Sequence, residues 1–156
     1  MKKVLITIAA VMTVSLMAFA DGKQEALDFF NNYVNAANSY STTVGEMYSP
    51  SAKIIRQVVK PDGGLVNAYT DTATYVKQMK LSQATAKIRK YTNSYSDIKV
   101  EQLGTNKYKV SALRQPKGET YRLKTYQIIQ KQPNGKWLIV EEMMQTKEQI
   151  FLKFAK

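Results

Sequence analysis

Apolar positions recur along this chain at two different periods, and the change between them divides it. Over residues 24–40 they fall three and four apart. Leu27, Phe30, Val34 and Ala37 make one face, which Phe29, Tyr33 and Tyr40 widen. Asn31, Asn32, Asn35 and Asn38 are left for water. Asp21, Glu25 and Asp28 lie near the start, where negative charge suits a helix dipole. The spacing predicts an amphipathic helix that is too apolar to stand alone. From Tyr91 onward the period drops to two. Tyr108, Val110 and Ala112 alternate with Lys107, Lys109 and Ser111, as in a two-faced strand. Turn residues at 104–106, 116–118 and 133–135 cut this stretch into four strands, an antiparallel meander. Its last hairpin, residues 119–146, is the strongest pattern in the chain. Asn134-Gly135 between two apolar runs predicts a type I′ turn, with positive φ at both central residues.

The middle of the chain mixes the two periods. Residues 41–49 hold a helical turn or two, which Pro50 closes, because the residue before proline avoids the helical region. Residues 52–59 read as a strand. The Lys60-Pro61-Asp62-Gly63-Gly64 turn returns the chain into a short strand over 65–69. Asp71 or Thr72 caps a helix over about 73–80, with Tyr75, Val76 and Met79 on its apolar side. Residues 81–90 fit either an extension of that helix or a loop. The ends differ from the middle. Residues 1–20 read as a secretory leader: Lys2 and Lys3, an apolar run from Val4 to Met17, and the small-x-small site Ala18-Phe19-Ala20. Residues 147–156 place Ile150, Phe151, Leu152 and Phe154 among three lysines. This tail fits packing on the domain edge, or a basic amphipathic contact. The expected organisation is a leader (1–20), one domain (21–146) and this tail.

Composition narrows the chemistry. Cysteine and histidine are both absent. That removes thiolate zinc sites, cysteine nucleophiles, and the commonest general base and metal ligand. Loss of the leader would leave 136 of the 156 residues, and loss of Lys2 and Lys3 would take the net charge from +11 to +9. A basic balance favours anionic partners such as lipid headgroups, cell-wall polymers or acidic protein faces. Export makes nucleic acid an implausible one. The leader predicts a periplasmic or secreted bacterial protein.

The stretches EALDFFNNYVNAANSY, EMYSPSAKIIRQV, TATYVKQMK and NGKWLIVEEMM, in this order, resemble the nuclear transport factor 2 superfamily, also called SnoaL-like or cystatin-like cone domains. The likeness covers nearly all of the chain after residue 20. It implies an α+β fold in which a strongly curved antiparallel sheet wraps a long N-terminal helix, with two shorter helices. Such cones host isomerases, dehydratases, ligand carriers and scaffolds, so the fold does not fix the function. The resemblance also implies where an enzyme would keep its groups. Ketosteroid isomerase places an aspartate base on the first strand. Laying SPSAKIIRQ on that passage puts Arg56 or Ile55 there, and neither accepts a proton usefully. Tyr33 is similarly placed to the donor tyrosine. Dehydratases with an Asp/His pair are excluded by the missing histidine.

No phosphate loop, nucleophile elbow or metal-ligand spacing is present. Glu141 and Glu142 are adjacent, so a regular strand sends them to opposite faces. An inward one needs a partner, with Arg56, Arg114 and Arg122 as candidates. Ten tyrosines give a cone mixed apolar and hydrogen-bonding surface. The expected function is therefore non-catalytic: an exported domain that binds a small apolar or amphipathic ligand or an envelope protein, without cofactor, metal or catalytic residues. Its pocket is expected from Tyr33, Tyr48, Arg56, Met79, Tyr108, Glu141 and Met143. The alternative is a scaffold that pairs through its sheet, since strand 137–144 is apolar on both faces; a homodimer and an anionic surface contact are expected partners. An enzymatic version would use Tyr33, Glu141 or Glu142 and an arginine.

Overall fold

Helix α1 spans Lys2–Asn38. In this computed structural model the backbone is described for residues 2–155 and the side chains for residues 20–155. The expected leader falls on residues whose side chains, Ala20 apart, lie outside those described. The buried face of α1 is formed by Ala26, Phe30 and Tyr33. It is turned slightly from the expected one: Leu27 and Val34 are only half-buried. The apolar stripe is wide, and small Ala26 lets the helix approach the sheet along its own side. After Asn38 the chain turns in a left-handed residue, Tyr40 (φ 60°). Ser41 N–H bonds Ala36 O and Tyr40 N–H bonds Ala37 O, the paired bonds of a Schellman cap.

A 3-10 helix at Thr42–Met47, capped by the Ser41 hydroxyl, leads into β1 (Tyr48–Val59). The chain returns as β2 (Leu65–Thr70). Helix α2 follows at Thr72–Ile88, with Asp71 as its N-cap accepting from Thr74 N–H. Residues 81–88 thus extend the helix. This helix also ends in a left-handed non-glycine residue, Lys90 (φ 50°), with Tyr91 N–H on Ala86 O. The meander then runs β3 (Asn93–Gly104), β4 (Lys107–Pro116), β5 (Leu123–Lys131) and β6 (Trp137–Thr146).

All six strands form one sheet in the order β2-β1-β6-β5-β4-β3. The sheet is curved, open and mixed. Its pairings are antiparallel except that β1 lies parallel to β6. That parallel pair follows from the connectivity: the meander ends by laying its last strand against the inner side of the β1–β2 hairpin. The β5–β6 turn is not type I′. Asn134 lacks positive φ, and only Gly135 has it (φ 81°). Pro133 fixes a negative φ at the first turn position, so Gly135 N–H closes a turn on Gln132 O and takes the left-handed position after it.

One further irregularity places the site. In β6, Ile139 pairs with Ile129 but Glu141 with Ile128, so Val140 is an extra residue. This bulge reverses the alternation of every residue after it. The tail forms a 3-10 helix at Gln149–Phe154, and Ala155 bridges to Ala68 on the free edge of β2.

Candidate functional site

Two buried clusters fill the cone. At one end Ala26 and Phe30 pack on Tyr108, Val110, Ala112 and Ile129, with Trp137 and Val100 beside them. At the other, Tyr33, Val44, Tyr48, Ala52, Ile54 and Ile139 surround a polar centre.

The centre is Glu142, which is fully buried. The bulge at Val140 aims it inward. Gln127 stands directly opposite on β5 and donates from Nε2 to Glu142 Oε2 at 3.0 Å. Arg56 lies two residues along β1 from Ile54, the parallel neighbour of Glu142, and reaches back with Nη1 to Oε1 at 3.0 Å. Tyr48, at the start of β1, donates to Oε2 at 2.7 Å. The Tyr33 and Tyr75 hydroxyls lie 3.2 and 3.5 Å from that of Tyr48. Tyr48 has one proton and the carboxylate takes it, so the other two donate toward its oxygen. The Arg56 guanidinium also sits 4.7 Å from the centroid of the Tyr75 ring.

The electrostatics follow from burial. The Tyr33 and Tyr48 phenols are pushed well above their ordinary range, first by burial and then by the facing Glu142 charge. Burial also raises Tyr75. For Arg56 burial opposes the charge, but Tyr75 and Glu142 more than offset it, and its pKa is raised. The cluster is thus a carboxylate held by three donors, ringed by neutral phenols. Its chemistry is that of a closed ion pair, with both carboxylate oxygens already engaged.

Beside it lies a cavity of about 220 Å³, between α1, α2 and the sheet. Its wall includes Tyr33, Ala37 and Tyr40 from the end of α1, Tyr75, Met79 and Ala86 from α2, Tyr91, Tyr95 on β3, Arg114 on β4 and Met144 on β6. Neither Glu142 nor Tyr48 lines it. Arg114 is buried and spans three elements. Nη1 donates to Asn93 Oδ1 at 2.7 Å and to the Tyr91 hydroxyl at 3.2 Å; Nη2 donates to Gln145 O at 2.8 Å. Asn93 is itself fixed by a two-way pair of bonds with Asn38, the last residue of α1. A larger, more open hollow of about 660 Å³ lies on the outer face of the sheet, among Ile98, Lys99, Lys109, Leu113, Lys124, Tyr126 and Met143. The inner cavity is the stronger candidate, because it joins enclosure to a fixed polar group.

The structure brings four of the seven expected pocket residues together. Tyr33 and Met79 line the cavity, while Tyr48 and Arg56 stand behind it in the ion-pair cluster. The other three lie elsewhere. Tyr108 is in the packed end, its ring 5.9 Å from Trp137. Glu141 is on the outer face, accepting from the Tyr126 hydroxyl at 2.6 Å, and Met143 lines the outer hollow. The bulge explains both outer positions. Arg114 was legible by a simpler signal, since it continues the inward alternation of Tyr108, Val110 and Ala112. Among the described residues no group of three or more Asp or Glu gathers as for a metal ion.

Solved structures with the same architecture are numerous. An NTF-2 like protein of unknown function from Shewanella oneidensis superposes with a TM-score of 0.58 at 12% identity, covering 79% of this chain and 98% of that one. A domain of unknown function with a cystatin-like fold from Nostoc punctiforme gives 0.56 at 13%, covering 84% and 83%. The chain has the nuclear transport factor 2-like fold. A protein of unknown function from Pectobacterium atrosepticum is similar too, at 0.57 and 18% identity over 81% of this chain and 91% of that one. No protein-family model matches the sequence, and no curated protein does. At these identities the likeness carries the nuclear transport factor 2-like architecture and nothing about the contents of its cone.

Proposed function

We propose that this nuclear transport factor 2-like chain is an exported, non-catalytic domain that holds a small apolar or amphipathic ligand in the inner cavity. The observation that carries this reading is the separation of the cavity from Glu142, the only fully buried carboxylate among the described residues. Glu142 accepts from Arg56, Tyr48 and Gln127 and does not line the hollow. A general base must reach the proton it takes, and this one is enclosed behind its own donors. What remains open to a ligand is phenol, thioether and methyl surface with one guanidinium and the polar side chains of Asn38, Ser82, Gln83 and Asn93, a lining suited to holding a molecule. Export rests on the leader pattern of residues 1–20.

Native mass spectrometry of protein purified from its own compartment tests the reading. A small molecule should co-purify, and Ala86→Trp, which fills the cavity from α2, should release it. Bare polypeptide in both, with no uptake of an apolar fluorescent dye by the wild type, would end it.

A second reading, an assembly domain that pairs with itself through the sheet, is favoured by the outer hollow and its Ile98, Leu113 and Met143. Lys99, Lys109 and Lys124 rim that hollow. Self-pairing would bring these like charges together, so the dimer should strengthen with salt. A clean monomer in sedimentation at high salt and high concentration argues against it.

A further inference from the structure

Two buried side-chain polar atoms among the described residues lack a hydrogen-bond partner: Gln127 Oε1 and Arg114 Nε. Gln127 does not line the cavity; Arg114 does. The two buried arginines also differ in their counter-charge. Arg56 has Glu142 at 3.0 Å. Arg114 is only 4% exposed and forms no ion pair with any described carboxylate. A guanidinium carries five N–H donors in a planar fork. Three of them serve Asn93, Tyr91 and Gln145, which leaves the Nε–H and one further N–H uncommitted. No Asp or Glu lines the cavity, so the charge on its wall is the single positive one of Arg114. Burying a charge without a partner costs several kcal/mol, so such a group calls for an anion.

Resting on the ligand-binding reading above, we infer that the cavity takes a small carboxylate, with its anionic end against Arg114 and its apolar body among Tyr33, Tyr75, Met79, Tyr95 and Met144. A guanidinium holds a carboxylate by charge-assisted hydrogen bonds. The size fits as well. A cavity of about 150 Å³ accepts benzene. The 220 Å³ found here holds a ring with a short side chain, or a medium alkyl chain. Asn93 and Gln145 hold Arg114 in place before the ligand arrives, so little ordering is left to binding.

A competing explanation is that Arg114 only ties β3, β4 and β6 together near the end of α1. Binding measured on the purified protein at neutral pH and low salt separates the two. The probes are 3-phenylpropanoate and hexanoate, their neutral amides, and inorganic phosphate. Each carboxylate should bind about 10-fold or more tighter than its amide, the ratio expected of a charge-assisted bond. In Arg114→Gln that ratio should fall to about 2-fold or less while the amides bind as before, and Arg114→Lys should lie between. Equal binding of acid and amide by the wild type overturns the anion assignment and leaves the cavity reading standing. That comparison needs no variant, so it decides the matter even if Arg114→Gln fails to fold. A ratio that persists in Arg114→Gln also overturns it. Phosphate displacing the carboxylates at equal concentration would overturn the carboxylate assignment in favour of a bare anion site. If no probe binds at all, the ligand-binding reading falls together with this one.

Discussion

The two ends of the cone use the same helix and the same sheet, yet they are filled in opposite ways. At the closed end Phe30 meets Tyr95 edge-on at 5.4 Å, and Val110 and Ile129 have no exposed surface. The polar groups there are kept to the rim, where Lys131 and Trp137 Nε1 both donate to Glu25. At the open end a buried ion pair replaces the aliphatic core, and a hollow adjoins it. Both helices stop at that hollow in left-handed non-glycine residues, Tyr40 and Lys90, each costing about 1–3 kcal/mol. Tyr95 is the partition: it packs on the closed cluster and also lines the cavity. The comparison teaches that stability and site are divided along α1. Residues 26–30 of the helix anchor the fold, and residues 33–40 are free to shape a cavity.

The ion pair is the place where breaking the comparison costs most. Glu142→Leu leaves Arg56 buried without its counter-charge and takes the acceptor from Tyr48 and Gln127. Urea denaturation should show a loss of about 3–5 kcal/mol. Adding Arg56→Met should recover most of it, since replacing both partners by apolar groups removes the unpaired charge. A double variant no better than the single one would mean that the tyrosine and glutamine bonds, and not the charge pair, hold this end together. At the closed end the matching change is Ile129→Ala, expected to cost about 2–5 kcal/mol by cavity formation. It should leave ligand uptake unchanged, whereas loss of binding there would show that the two ends are not separable.

The contrast was partly legible in the sequence. The helix, the meander and the order of elements follow from periodicity, because a 3.6-residue and a 2-residue repeat cannot be mistaken for one another over long runs. The inward set on β4 follows from the same rule, and carried one step further it reaches Arg114. What alternation could not give is β6. Counting by twos from Ile139 puts Glu141 inside, and the extra residue at Val140 puts Glu142 there instead. A bulge leaves no mark in residue types, since Val140 is an ordinary strand residue. The centre of the buried face on α1 was equally hidden, because the stripe with Leu27, Phe29, Phe30, Tyr33 and Val34 covers nearly half of the circumference, wide enough for the buried centre to shift within it. The cavity itself is a difference between volumes, which no local pattern encodes.

The ends should also fail at opposite extremes of pH. Unfolded tyrosines lose their protons near pH 10, but Tyr33 and Tyr48 keep theirs to higher pH in the fold. Their contribution is therefore complete below about pH 10 and is lost as pH rises above it, by about 1.4 kcal/mol per pH unit for each phenol. Tyr33→Phe should flatten the alkaline limb of a stability–pH curve. At the closed end the bonds from Lys131 and Trp137 hold Glu25 below the usual carboxylate range. Its contribution is present above the ordinary glutamate range and lost as pH falls through it. Glu25 is well exposed, so this acid effect is screened and smaller. An alkaline limb unchanged by Tyr33→Phe would remove the phenols from the account.

The smallest effect is the most direct test that the hollow exists in solution. Truncating a side chain in a close-packed core costs its lost contacts plus the new void. Met79 faces the cavity on one side, so part of that loss is already present in the native protein. Met79→Ala should cost about 1 kcal/mol or less, below the usual range for burying a methionine, and well below Ile129→Ala. The same variant should admit longer alkyl carboxylates than the wild type, because it deepens the apolar end without touching Arg114. Equal destabilisation by Met79→Ala and Ile129→Ala would mean that the α2 wall closes onto Tyr33 and Tyr95. The open end would then be a second packed core that happens to contain an ion pair.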